Sequence, residues 1–126
     1  MASSKRNSTE SLEKQARQLY PHGHPRFNQI LCQQMKLHSE KNHDYARGGD
    51  SLGNFKRVAT ILALYPQLSL SKPEVVALVY CLKQLDAVAY MLSENYEGNV
   101  EGIGTRLNDV SVYATLMRVI HEESTL

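Results

Sequence analysis

His38-Ser39-Glu40-Lys41-Asn42-His43-Asp44-Tyr45, followed by Ala46-Arg47-Gly48-Gly49-Asp50-Ser51-Leu52-Gly53-Asn54-Phe55, is the stretch on which the fold turns. A helix arriving from Phe27 and continuing to Tyr45 places Phe27, Leu31, His38 and Tyr45 on one line, because the helical repeat is about 3.6 residues. Gln34, Lys41 and Asn42 flank that line, so a face that should be apolar turns polar toward its end. A buried polar group without a partner costs about 1 to 3 kcal/mol. These side chains therefore either satisfy one another as ties within a bundle, or wait for a ligand.

Outward from that stretch the chain reads as all-α. Gly48-Gly49 end the helix that starts near Pro25 or Arg26, and Asp50 or Ser51 can cap a third helix over Leu52 to Leu64. Phe55, Val58, Ala59, Leu62 and Tyr65 form its apolar face, and Pro66 closes it. Ser71-Lys72-Pro73-Glu74 has the form of a capping box with proline in the first turn. Val75, Leu78, Val79, Leu82, Leu85 and Ala89 then trace one face of a long helix reaching about Asn95, with Asp86 in the middle of that face and Lys83 one turn earlier as its expected partner. The glycine-containing segment from Tyr96 to Gly104 reads as a loop. Thr105 is the expected cap of a last helix with a core face of Val112, Leu116, Val119 and Ile120, on which Asp109 and Tyr113 also fall, flanked by Arg106 and Asn108.

Before the organising stretch, Leu12, Ala16, Leu19 and Tyr20 make a thin stripe on a short N-terminal helix from Ser8, and residues 1–7 read as disordered. The expected architecture is a compact antiparallel helical bundle of four core helices plus that short helix, in a single helical domain over 8–126. A length of 126 residues suits one domain.

A formal net charge of +1 gives no broad basic field for nucleic acid. No stretch is read as a membrane span, and Cys32 and Cys81 lack metal or redox spacing, which points to a reduced cytoplasmic pair. His22 and His24 stand two apart in a turn without a nearby acid or cysteine, so they are weak metal ligands. The glycine turn at 48–53 lacks the order of a phosphate-binding loop.

Three helices thus each turn polar within an apolar stripe: His38, Lys41, Asn42 and Tyr45; Lys83 and Asp86; Arg106, Asn108, Asp109 and Tyr113. In a bundle these groups can converge in one cavity. His38, Lys41, Lys83 and Arg106 suit phosphate or carboxylate, Tyr45 and Tyr113 offer faces for a base, and Asn42, Asn54 and the aspartates can bond a base or ribose edge. A nucleotide fits this inventory better than an apolar metabolite.

The order His-x-x-Lys-Asn-x-Asp-Tyr at 38–45, Asp50 with Gly53-Asn54-Phe55, Leu82-Lys83, and Arg106-Leu107-x-Asp109-Val110-x-x-Tyr113-Ala114 resembles the phage and prophage family called nucleotide modification associated domain 1. The resemblance covers roughly 27 to 121. It implies kinship with MazG-type all-α NTP pyrophosphatases, hence a helical bundle, nucleotide ligands and a homo-oligomer. The chain departs from those enzymes in lacking their Glu-Glu-x-x-Glu helix, a carboxylate cluster suited to magnesium.

The leading expectation is therefore a phage-type protein that captures a nucleotide-derived signal, as an anti-defence sponge in the host cytoplasm, with no cofactor needed for binding. The enzyme alternative is a Mg2+-dependent nucleoside polyphosphate pyrophosphohydrolase, with Asp86 and Asp109 as metal ligands. The third is a structural or interaction bundle.

Overall fold

Helix and turn follow the glycine and proline punctuation of the chain. The computed structural model describes the backbone of residues 2–47 and 49–125, and side chains from residue 9 onward within those ranges. It is all-helical, with α1 Ala2–Leu19, α2 Pro25–Ala46, α3 Gly53–Ala63, α4 Pro73–Glu94 and α5 Ile103–Ser124. Two compact units divide it, Met1–Glu40 and Lys41–Leu126.

In the first unit α1 begins at Ala2 rather than Ser8. The expectation of a disordered 1–7 falls on residues whose side chains lie outside the described ones. Of the expected stripe, Leu12, Leu19 and Tyr20 are exposed and Ala16 is half-buried. The turn to α2 is closed by Gly23 N–H donating to the Tyr20 carbonyl and by the Arg26 N–H donating to His24 Nδ1. Cys32 is buried and reduced.

The second unit is built on α4 and α5, which run antiparallel. His121 Nδ1 near the end of α5 lies 3.0 Å from Glu74 Oε2 at the start of α4. Tyr80 and Tyr113 meet edge to face, with ring centroids 5.5 Å apart. Gln84 reaches Asp109, and the buried Cys81 thiol faces the Val110 carbonyl. Burial pushes the Cys81 pKa up, so the thiol is held protonated.

The faces differ from those expected. On α4 the buried residues are Val75, Cys81, Gln84, Ala87, Val88 and Met91, while Leu85 and Ala89 are exposed. The physical reason is that α4 is apolar nearly all round, so periodicity does not select its buried side. By length and composition α4 could cross a membrane, contrary to the sequence expectation that no stretch reaches that limit. Here it is the central helix between α3 and α5.

On α5 the half-buried line is Asp109, Val110, Tyr113, Met117 and Ile120. Val112, Leu116 and Val119 form a second, exposed apolar stripe. On α3, Asn54 and Val58 are buried, whereas Phe55 is 73% exposed and Tyr65 is also outward.

Three helix starts also differ from expectation. Lys72, not Ser71, precedes α4, and no side chain caps it; Pro73 supplies the preset φ at the first helical position. α5 begins at Ile103, whose N–H is accepted by Glu97 Oε2 at 2.9 Å, so Thr105 is not its cap. Leu52 precedes α3, and Asp50 works one step earlier by accepting the Leu52 N–H at 2.9 Å. α4 ends at Asn95, whose left-handed backbone (φ 56) stops the helix.

Candidate functional site

The last turn of α2, the middle of α4, the start of α5 and the loop before α5 bring a polar network together inside the second unit. Its anchor is Asp44, fully buried. Asp44 Oδ1 accepts the Asn99 N–H at 2.6 Å, and Oδ2 accepts those of Val100 and Glu101, each at 2.8 Å. Three N–H donors on one carboxylate replace the water it lost on burial. Gly98 makes the loop feasible, since a Cβ there would lie 2.0 Å from the Glu101 carbonyl oxygen and 3.1 Å from Asp44 Oδ2.

Behind Asp44 stands Arg106, 2% exposed. Its Nη1 donates to Gln84 Oε1 at 2.6 Å and to the Tyr45 hydroxyl at 3.1 Å, and lies 3.3 Å from Glu101 Oε2. Nη2 is 4.0 Å from Asp44 Oδ2. The guanidinium carbon sits 4.4 Å from the Tyr45 ring centroid, and Lys83 Nζ is 5.9 Å from that centroid. Gln84 passes the chain onward, its Nε2 donating to Asp109 Oδ2 at 2.9 Å. Three buried side-chain atoms have no hydrogen-bond partner among the described residues: Arg106 Nε and Asn42 Oδ1 in this unit, and Asn28 Nδ2 in the first.

The other side of α4 carries a separate cluster. Asp86 receives Arg57 in a two-point grip and the Asn54 amide at 2.8 Å, while Asn54 also donates to the Lys83 carbonyl. Hydrogen bonding to Asp86 raises the Arg57 pKa. Arg57 also lies over the Tyr90 ring, 4.8 Å from its centroid. The expected Lys83 and Asp86 pair is therefore replaced by Arg57 and Asp86. Two residues along a helix turn its direction by roughly 200°, so Gln84 faces α5 while Asp86 faces α3.

The end of α2 is fastened by aromatics. The Tyr96 hydroxyl donates to the Asp44 carbonyl, Tyr90 donates to the Ala46 carbonyl, and Arg47 Nη1 donates to the Glu94 carbonyl. Burial is the main cause of the raised Tyr96 pKa, with Tyr90 and Asp44 adding to it. At the following turn, the Gly49 N–H donates to the Ala46 carbonyl, and Gly53 donates to the Asp50 carbonyl. Those donors are spent within the turn, and Gly48 lies outside the described residues. Lys56 holds the Asp50 carboxyl below its usual range, with the Leu52 N–H second.

Of the sequence candidates, Tyr45, Arg106 and Asp109 join the first network, and Asn54 and Asp86 the second. Lys83 stands at the Tyr45 edge, exposed and without an ion pair among the described residues. Lys41 and Asn108 are exposed, Asn42 is half-buried, and Tyr113 packs on Tyr80 rather than into the network. His38 is exposed and belongs to the first unit. Four participants escaped the sequence candidates: Asp44 as an anchor, Arg57, Gln84 and Glu101. Gln84 left a signal, as an uncharged polar residue inside an apolar run.

Among the described residues no group of three or more His, Cys, Asp or Glu side chains is arranged to hold a metal ion. An open groove of about 450 Å³, lined by Thr9, Leu12, Cys32, Met35, Lys36, Ser39 and Glu40, lies within the first unit. No protein-family model, curated protein or solved structure matches the chain.

Proposed function

We propose that the second unit binds a nucleotide-type anion at the Tyr45, Lys83 and Arg106 edge of its polar network and holds it without turning it over. The observation that carries this reading is Arg106, a nearly buried cation set on an aromatic ring beside Lys83, with neither its Nε hydrogen-bonded nor Lys83 in an ion pair among the described residues. A ring flanked by two cations is suited to a stacked base with its phosphates.

Capture is favoured over hydrolysis because the aspartates are already engaged: Asp86 with Arg57, Asp109 with Gln84, and Asp44 with three N–H groups. Magnesium would have to draw Asp86 and Asp109 away from those partners, on opposite sides of α4. In this reading the chain belongs with the nucleotide modification associated domain 1 proteins, as an antiparallel bundle that sequesters a signal nucleotide in the host cytoplasm. The exposed stripe of Val112, Leu116 and Val119 supports a homo-oligomer.

Thermal-shift titration with mono-, di-, cyclic and ADP-ribose-type nucleotides, with and without magnesium, tests the proposal. A ligand at a hundred times its dissociation constant adds about 2.7 kcal/mol of apparent stability. Denaturing the complex should release that ligand unaltered. A consistently cleaved product in magnesium would instead assign a pyrophosphohydrolase. One observation favours a second reading, a purely structural bundle: most of the network is satisfied internally. In that case no nucleotide would raise the melting temperature.

A further inference from the structure

Arg106 is met from the solvent side by a residue outside every motif described above. A guanidinium has five N–H donors and needs acceptors around it when buried. Of the four side chains that meet Arg106, Asp44 and Gln84 are interior and Tyr45 is half-buried. Glu101 stands on the solvent side, with its side chain 39% exposed and its Oε2 3.3 Å from Nη1. Its carboxylate has no other partner among the described residues.

Both N–H groups of Nη1 are donated to Gln84 and Tyr45, so Glu101 meets the guanidinium as a counter-charge at 3.3 Å, in the place a phosphate's charge would take. We infer that Glu101 is a built-in stand-in anion on Arg106, and that a phosphoryl-bearing ligand docks there by displacing it. This rests on the binding reading above and adds a rule of specificity. A neutral nucleoside offers nothing to replace the carboxylate and is excluded, whereas a polyphosphate or nucleotide exchanges one anion for another.

The loop geometry makes the exchange a side-chain event. The Glu101 N–H is held by Asp44 Oδ2, those of Asn99 and Val100 by the same carboxylate, and Gly98 packs so closely that a Cβ there would lie 2.0 Å from the Glu101 carbonyl oxygen. The backbone stays in place while the half-exposed side chain rotates outward. Arg106 then keeps Asp44 as counter-charge at 4.0 Å while the incoming anion takes the place of Glu101 beside Nη1.

The test compares the full chain with Glu101→Gln, which preserves shape and the backbone bond, and with Glu101→Ala, which removes the plug outright. Glu123→Gln, at the exposed end of α5, controls for net charge. Calorimetric titration with inorganic tripolyphosphate at low salt is expected to show at least about tenfold tighter binding for both Glu101 variants, the equivalent of about 1.4 kcal/mol. The control should match wild type. Equal affinity in wild type and the Glu101 variants overturns the stand-in role while leaving anion binding intact. Equal tightening in the Glu123 control assigns the effect to overall charge and also overturns it. Absence of binding in every form overturns both the stand-in role and the binding reading.

Discussion

Arg57 grips Asp86 across the α3 and α4 contact, with Nε 2.8 Å from Oδ1 and Nη2 2.9 Å from Oδ2. The carboxylate is largely buried while Arg57 is more than a third exposed, so the pair gains from low dielectric on one side and is screened on the other. Arg57→Ala leaves Asp86 with the Asn54 amide alone. It should destabilise the protein by about 2 kcal/mol, below the 3 to 5 of a fully buried pair. Urea denaturation measures this, and Arg57→Ala combined with Asp86→Asn should lose less than the two single losses added together.

Asp44 should be the most sensitive position in the network. Asparagine offers one acceptor oxygen where the carboxylate serves three N–H groups, and it removes the fully buried counter-charge of Arg106. Asp44→Asn is expected to cost about 3 kcal/mol. Amide hydrogen exchange at Asn99, Val100 and Glu101 should accelerate together, whereas exchange in the middle of α4 should track only the global loss.

Several helix ends were legible because proline, glycine and asparagine act within a few residues of themselves: Pro66, Pro73, Gly49 and Asn95 each lie close to a helix end, whereas α1 starts at Ala2, before the expected Ser8. Helix faces were not legible. α4 offers apolar residues in nearly every direction, and α5 carries two apolar stripes, of which the half-buried one, Val110, Tyr113, Met117 and Ile120, includes the Val110 and Tyr113 contacts with α4. The polar positions Tyr45, Asp86, Arg106 and Asp109 stood out against apolar surroundings. Of their partners, Gln84 left a mark as a polar residue in an apolar run, whereas Arg57 and Glu101 are selected by how α3 and the loop before α5 pack. Lys83 shows the limit: its spacing to Asp86 suits a pair, yet Arg57 reaches that carboxylate from α3 and leaves Lys83 beside Tyr45.

Lys83 separates binding from folding. Its side chain is exposed and makes no ion pair among the described residues, so Lys83→Ala should leave the melting temperature of the free protein unchanged, within about 0.5 kcal/mol of stability. If phosphate sits at the Tyr45 edge, losing that cation removes a charge-assisted contact and weakens nucleotide binding about tenfold, or about 1.4 kcal/mol. Titration of both proteins with the same nucleotide checks this. Unchanged affinity would move the ligand away from Tyr45.

Alkaline pH should unfasten the end of α2. The Tyr96 hydroxyl, ordinarily near 10.0, and the Cys81 thiol, ordinarily near 9.0, are both shifted upward, mainly by burial. A raised value means that the folded chain holds the proton more tightly than the unfolded chain. The associated stability is complete below the ordinary values and is lost as pH rises through the raised ones. Ionised Tyr96 can no longer donate to the Asp44 carbonyl and would place a second negative charge near the Asp44 carboxylate. Denaturant midpoints should therefore hold steady to about pH 9 and fall beyond it. Tyr96→Phe should begin less stable at neutral pH, by about 1 kcal/mol for the lost hydrogen bond, and then decline less steeply above pH 10. A wild-type midpoint that rose across that range would contradict the assignment.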